Sequence, residues 1–128
     1  MNWYNLFKKS DKKGTISFDF DNTLIQLEWS EDGFQKVIGP RMDIIAKMHD
    51  YHAKGYDVII VTSRMDSVMQ EVYDFVSEYG LPVSSIHNTN GKLKGRLLQS
   101  LNVIKHFDDC DDEIREAREY NIDAEKVF

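Results

Sequence analysis

Gly14-Thr15-Ile16-Ser17-Phe18-Asp19-Phe20-Asp21-Asn22-Thr23-Leu24 is the stretch whose reading decides the rest of the chain. Thr15 to Phe18 predict a buried strand, β-branched and aromatic in character. It ends in two carboxylates, Asp19 and Asp21, with Thr23 and Leu24 behind them. Residues i and i+2 of a straight strand share a face. Where the strand stops, the chain can curl and aim both carboxylates at one point. Crowding like charges is costly, and a hard divalent cation such as Mg²⁺ offsets the cost through oxygen ligands. Asp-Asn-Thr is equally ordinary turn and helix-cap chemistry. The stretch alone leaves both readings open.

Downstream, Ile25 to Ser30 and Phe34 to Ile38 alternate around Asp32-Gly33, a hairpin signal directly after the acidic turn. This hairpin should overhang whatever binds there. Trp29 and Phe34 near its tip either stack on a substrate or anchor the hairpin to the body, and anchoring is the preferred reading. Gly39-Pro40 closes the hairpin and opens a helix carrying Ile44, Ile45, Met48 and Tyr51. Tyr56 to Val61 form a β-branched run suited to a buried parallel strand, ending in Thr62-Ser63-Arg64. A second helix places Val68, Val72, Phe75, Val76 and Tyr79 on one face, and Gly80 and Pro82 stop it. Val83 to His87 predict a weaker strand and Asn88 to Gly91 a loop. Lys92 to Leu101 predict a helix with Leu93, Leu97, Leu98 and Leu101 inward. Val103 to Phe107 predict a strand ending in Asp108-Asp109-Cys110-Asp111-Asp112. Glu113 to Tyr120 predict a helix, and Glu125 to Phe128 a last short strand.

The length of 128 residues suits a single domain, 1–128, and 41% hydrophobic residues suffice for a proper core. A net charge of −6 argues against a general nucleic-acid coat. Local basic clusters remain at Lys8, Lys9, Lys12 and Lys13, and at Lys92, Lys94 and Arg96. The first reads as solvated surface. Residues 1–13, with Trp3, Leu6 and Phe7, read as a lead-in packed on the domain. The lone Cys110 excludes an internal disulfide, and its aspartate neighbours make it a poor nucleophile, so it reads as a packing residue. No apolar run spans a membrane, and the first residues lack a signal-peptide core. The expectation is a cytoplasmic protein without a membrane partner.

Strands alternating with helices predict an α/β fold, a parallel sheet with helices on both faces. Ligands of such sheets bind beyond the carboxyl ends of the strands. Asp19 and Asp21, Thr62 and Arg64, and Asp108 and Asp109 all fall at that end. A cation on the carboxylates, a hydroxyl from Thr62, a positive charge from Lys92, Lys94 or Arg64, and free backbone amides of the acidic turn together describe a phosphate site. One carboxylate would attack phosphorus and the other would handle protons.

The chain resembles the haloacid dehalogenase (HAD) superfamily of phosphotransferases. Asp19-Phe20-Asp21-Asn22-Thr23 is similar to the family's first motif, Thr62 to its second, a helix-opening lysine to its third, and Asp108-Asp109 to its fourth. The resemblance implies a three-layer Rossmann-like fold with strand order 3-2-1-4-5. The spacings leave space only for a small hairpin flap, so no cap domain is expected. Asp19 would be the nucleophile and a metal ligand. Asp21 would protonate the leaving group, activate water and lend its carbonyl to Mg²⁺. Thr62 would bind phosphoryl oxygens, with Phe20, Thr23, Ser63 and Arg64 also on the substrate. Asp109 would ligate Mg²⁺, with Asp108 beside it bonding the lysine or a metal-bound water. Asp111, Asp112 and Glu113 are alternative ligands. Lys94 is taken as the motif lysine, since it lies fourteen residues before Asp108 and is followed by Gly95. Asn22 stands where many members have Gly, and Asn tolerates such backbone angles. The Thr-Ser-Arg motif and capless body resemble the phosphatase half of phage-type polynucleotide kinase-phosphatases. This implies a nucleotide or nucleic-acid terminal phosphate as substrate. The alternatives are a small phosphorylated metabolite or a non-catalytic phosphate-binding module.

Overall fold

The structure is a computed structural model that describes residues 12–128. Trp3, Leu6, Phe7, Lys8 and Lys9, read above as part of the lead-in and its basic cluster, lie outside the described residues.

Five strands form a parallel sheet. They are β1 (Thr15–Phe18), β4 (Asp57–Thr62), β5 (Ser85–Asn88), β6 (Val103–Asp108) and β7 (Asp123–Lys126). Their order across the sheet is β5-β4-β1-β6-β7, which is 3-2-1-4-5 when only these strands are counted. Every neighbouring pair is parallel. β1 is therefore central, and its carboxyl end points the same way as those of β4 and β6.

Both faces of the sheet are covered, which is why the strands read as continuous apolar runs. Along β4, Val58 and Ile60 enter one cluster with Ile16, Phe18, Ile44, Met48, Val72 and Phe107. The alternate residues Ile59 and Val61 enter a second cluster with Leu98, Val103, Ile114, Ala117 and Ile122. The first face packs on α1 (Met42–Ala53) and α2 (Gln70–Tyr79), the second on α3 (Gly95–Ser100) and α4 (Asp111–Glu119). No helix of the described residues is long and apolar enough to cross a membrane.

β2 (Ile25–Trp29) and β3 (Gln35–Pro40) pair antiparallel as a separate hairpin. Trp29 and Phe34 are 69% and 72% exposed, so they do not anchor the hairpin. Its root holds it instead: Leu24 and Ile25 are buried, and Arg41 N–H donates to the Leu24 carbonyl.

Several expectations shift. Val68 lies in a separate 3-10 turn, Asp66–Val68, and is exposed, so α2 starts two residues later. α3 begins at Gly95 rather than Lys92, because Asn90 and Gly91 both take left-handed backbone angles and Thr89 Oγ1 donates to the Lys92 carbonyl. Leu93 is consequently 52% exposed instead of inward. The last strand ends at Lys126, leaving Phe128 exposed. Cys110, expected to pack, is exposed as the residue before α4.

Candidate active site

The site grows from the alternation of β1. Ser17 is buried, and two residues on, Asp19 follows on the same face as the strand ends. Asp19 N–H still donates to the Phe107 carbonyl, extending the ladder to β6 by one bond. The chain then curls. The amides of Thr23, Leu24 and Ile25 all converge on the Phe20 carbonyl. Asn22 adopts φ 58° and accepts the Leu27 amide on its side-chain oxygen. A left-handed residue is needed here, and Asn supplies one. Thr23 Oγ1 donates to Asp19 Oδ2 across 3.2 Å.

Lys94 supplies the buried positive charge. Its Nζ donates to Asp19 Oδ1 at 2.8 Å and to Asp108 Oδ2 at 2.6 Å, and the residue is only 2% exposed. Burial disfavours the ammonium, but the charges of Asp19 and Asp108 outweigh it and hold Lys94 well above its ordinary range. Lys92, the other lysine at this helix, is exposed. The backbone around Lys94 is fixed by two acids of α4: the amide of Lys94 donates to Glu113 and that of Gly95 to Glu116. At Gly95 an added Cβ would lie 2.6 Å from the Tyr120 ring, so no larger residue fits without displacement.

Asp108 is the most heavily bonded of the carboxylates. It accepts from Lys94, from His106 Nε2 at 2.8 Å and from the Cys110 amide at 3.0 Å. Burial pushes its carboxyl up, yet the bond from His106 and the charge of Lys94 overcome this and hold it well below the usual range. His106 is buried between Asp108 and Ser17, whose hydroxyl lies 2.6 Å from Nδ1. Burial holds this imidazole below its ordinary range. Because the carboxylate only accepts, Nε2 carries the proton and the Ser17 hydroxyl donates to Nδ1.

Asp19 and Asp109 behave differently. Burial, reinforced by the charge of Asp108, pushes Asp19 well up, and Lys94 opposes this only partly. Burial also raises Asp109, whose carboxyl lies against that of Asp19. Asp19, Asp108 and Asp109 place one oxygen each within 4.8 Å of one another. Two facing carboxyl groups on partly buried residues call for a proton or a cation between them. The set is oxygen only, which fits Mg²⁺.

Asp21 and Arg64 form the opposite wall. Arg64 Nε and Nη2 fork onto both oxygens of Asp21 at 2.9 and 2.8 Å, and Nη1 donates to the Val68 carbonyl and to Glu71. Thr62 is buried at the end of β4, and its Oγ1 accepts the Arg64 amide. Ser63 is exposed, and Phe20 is buried under the Arg64 guanidinium. Asp111 and Asp112 bond Lys126 and Arg115, while Glu113 serves Lys94. The Arg64 fork and any role in the site for His106, Ser17 and Glu116 are absent from the sequence reading. His106 had a readable signal: a histidine two residues before Asp108 on a strand shares its face.

A family model described as PITM 1-3, LNS2 domain, matches residues 16–123. The chain belongs to this LNS2 domain family. Comparison of this chain with curated proteins finds no match by sequence. Among solved structures it is similar to a chain of a Pnkp1/Rnl/Hen1 complex, with a TM-score of 0.70 and 16% identity over 92% of this chain. A chain of the Pnkp1/Rnl/Hen1 RNA repair complex matches with a TM-score of 0.70 and 17% identity over 89%. The LNS2 domain spans less than half of each, 47% and 42%. A HAD family enzyme of Bacteroides thetaiotaomicron, solved with magnesium and inorganic phosphate, matches with a TM-score of 0.58 and 9% identity over 90% of this chain and 94% of its own. The fold of the LNS2 domain is thus that of the HAD superfamily.

Proposed function

We propose that this chain is a Mg²⁺-dependent phosphomonoesterase working through an aspartyl-phosphate. The observation that carries this is the placement of Lys94 between Asp19 and Asp108, with Asp109 against Asp19, at the carboxyl ends of adjacent strands. Asp19 is the nucleophile. Thr23 and Lys94 each bond one of its two oxygens and so fix the orientation of the carboxylate. Asp19, Asp109 and the Asp21 carbonyl would hold Mg²⁺, with Asp108 bonding Lys94 or a metal-bound water. The ion would supply charge neutralisation for the nucleophile and the phosphoryl oxygens. Thr62 donates to a phosphoryl oxygen from β4. Asp21 passes a proton to the leaving oxygen as its bond to phosphorus breaks, and then takes one from the water that cleaves the acyl phosphate.

The finer reading is a nucleotide or a nucleic-acid terminal phosphate. It is supported by the exposed aromatics Trp29 and Phe34 beside an uncapped site, which offer faces for a base, and by similarity to chains of an RNA repair complex. A generic aryl phosphate tests the class: hydrolysis should require Mg²⁺ and stop with a chelator. Asp19→Asn, nearly isosteric, should lower kcat by at least about 10³ while the domain still folds. Wild-type-like turnover by Asp19→Asn would refute the covalent route.

A further inference from the structure

Two depressions of opposite charge flank the candidate site. The first, of about 490 Å³, lies under the hairpin and is lined by Asp21, Arg64, Val37, Val68 and Glu71. It continues into a smaller hollow of about 220 Å³ that shares Val37 and Glu71 and adds Asp74 and Glu78. Its one cation, Arg64, is committed to Asp21, Glu71 and the Val68 carbonyl. Uncommitted charge on this side is therefore negative.

The second depression, of about 420 Å³, runs between β5 and the outer face of α3. It is lined by Asn88, Thr89, Lys92, Arg96 and Ser100 over a floor of Leu93 and Leu97. Lys92 and Arg96 are exposed, and among the described residues neither makes an ion pair. In a chain of net charge −6, two such cations four residues apart on one groove stand out. The end of the groove formed by Asn88 and Thr89 is bonded to the Thr62–Arg64 segment that closes β4. Thr89 N–H donates to the Thr62 carbonyl, Gly91 N–H to the Ser63 carbonyl and Asn88 Nδ2 to the Arg64 carbonyl, at 3.0, 2.7 and 3.1 Å.

We infer that this groove is the track of a single nucleic-acid strand whose terminal phosphate occupies the site. Lys92 and Arg96 contact two backbone phosphates, and the leucine floor underlies the sugar or base between them. The acidic cleft keeps the phosphate backbone off the hairpin–α2 side, because phosphates there would face Glu71, Asp74 and Glu78 without a counter-charge, while an uncharged terminal base is free to meet Trp29 and Phe34. Backbone contacts of this kind position a strand and carry no sequence preference. The inference rests on the terminal-phosphate reading but is measured without turnover.

The experiment is binding of a labelled single-stranded oligonucleotide with a terminal phosphate, in chelator, across a series of salt concentrations. The native domain should bind with an affinity falling steeply with salt. Lys92→Ala with Arg96→Ala should reduce the slope of log affinity against log salt by about 1.4, two contacts at about 0.7 each. Glu71→Gln with Glu78→Gln, in the opposite cleft, should leave that slope as it is. No binding by the native domain, or a full slope in the Lys92/Arg96 variant, overturns the track. Vesicles rich in an anionic phospholipid form a second arm. Groove-dependent binding to vesicles, with none to the oligonucleotide, assigns the groove to a lipid surface and also overturns it. Loss of aryl phosphate hydrolysis in the native domain would instead strike the phosphatase reading, which the binding curves do not measure.

Discussion

His106 shows how much of a site can hang on a residue that never meets the substrate. It ties Ser17 on β1 to Asp108 on β6, and Asp108 in turn accepts from Lys94. Its imidazole is neutral in the folded domain because burial lowers its affinity for protons. In the unfolded chain it titrates near 6.5. Below that pH the unfolded state takes up a proton that the native state refuses. Stability should therefore fall as pH drops through 6.5, by up to about 1.4 kcal/mol per pH unit from this group. Urea unfolding of the native domain and of His106→Gln at pH 7.5 and pH 5.5 checks the sign. The variant should lose less stability between the two; an equal loss would place the titrating group elsewhere. The site's carboxylates, Thr62 and the lysine followed by glycine were legible in the sequence, since each ends or begins an apolar run. The Arg64 fork was not. A guanidinium beside an acidic turn reads equally as a ligand for phosphate, and only the three-dimensional path shows its donors already taken.

The hairpin illustrates the limit at the level of elements. Asp32-Gly33 between alternating stretches announced it, and Gly33 takes φ 85° in the turn. Pattern favoured anchoring for its aromatics, yet an apolar residue on a two-stranded ribbon has no second layer that the sequence must provide. Trp29 and Phe34 prove to be exposed. Trp29→Ala should therefore change stability by no more than about 0.5 kcal/mol. It should lower kcat/KM for a phosphorylated oligonucleotide more than for an aryl phosphate. Thermal unfolding and steady-state kinetics decide together. A large drop in stability with unchanged kinetics would mean that the tip packs on the body in solution. The start of α3 was misjudged for a related reason. Lys92 and Leu93 fit a helical pattern, but Asn90 and Gly91 in left-handed geometry bring the chain in at an angle that delays the first turn.

Across the whole molecule, alternation of β-branched runs with amphipathic stretches was enough to foresee a two-sided parallel sheet. Strand order was not contained in that pattern; it came from the family resemblance, and the observed sequence of strands matches it. What the sheet does is gather three carboxylates around one ammonium, leaving an excess of negative charge in a buried place. A divalent ion that binds this cluster binds the native state and not the unfolded chain. Raising Mg²⁺ to about a hundred times its dissociation constant should add roughly 2.7 kcal/mol to stability. Asp109→Asn should remove most of the gain, and a melting temperature indifferent to Mg²⁺ would deny the cluster any hold on the ion. Folding and ion supply are then one coupled equilibrium. Where the ion is scarce, a larger share of the chains stands open to proteolysis, so the abundance of this domain would track the cation level even before any phosphate is cleaved.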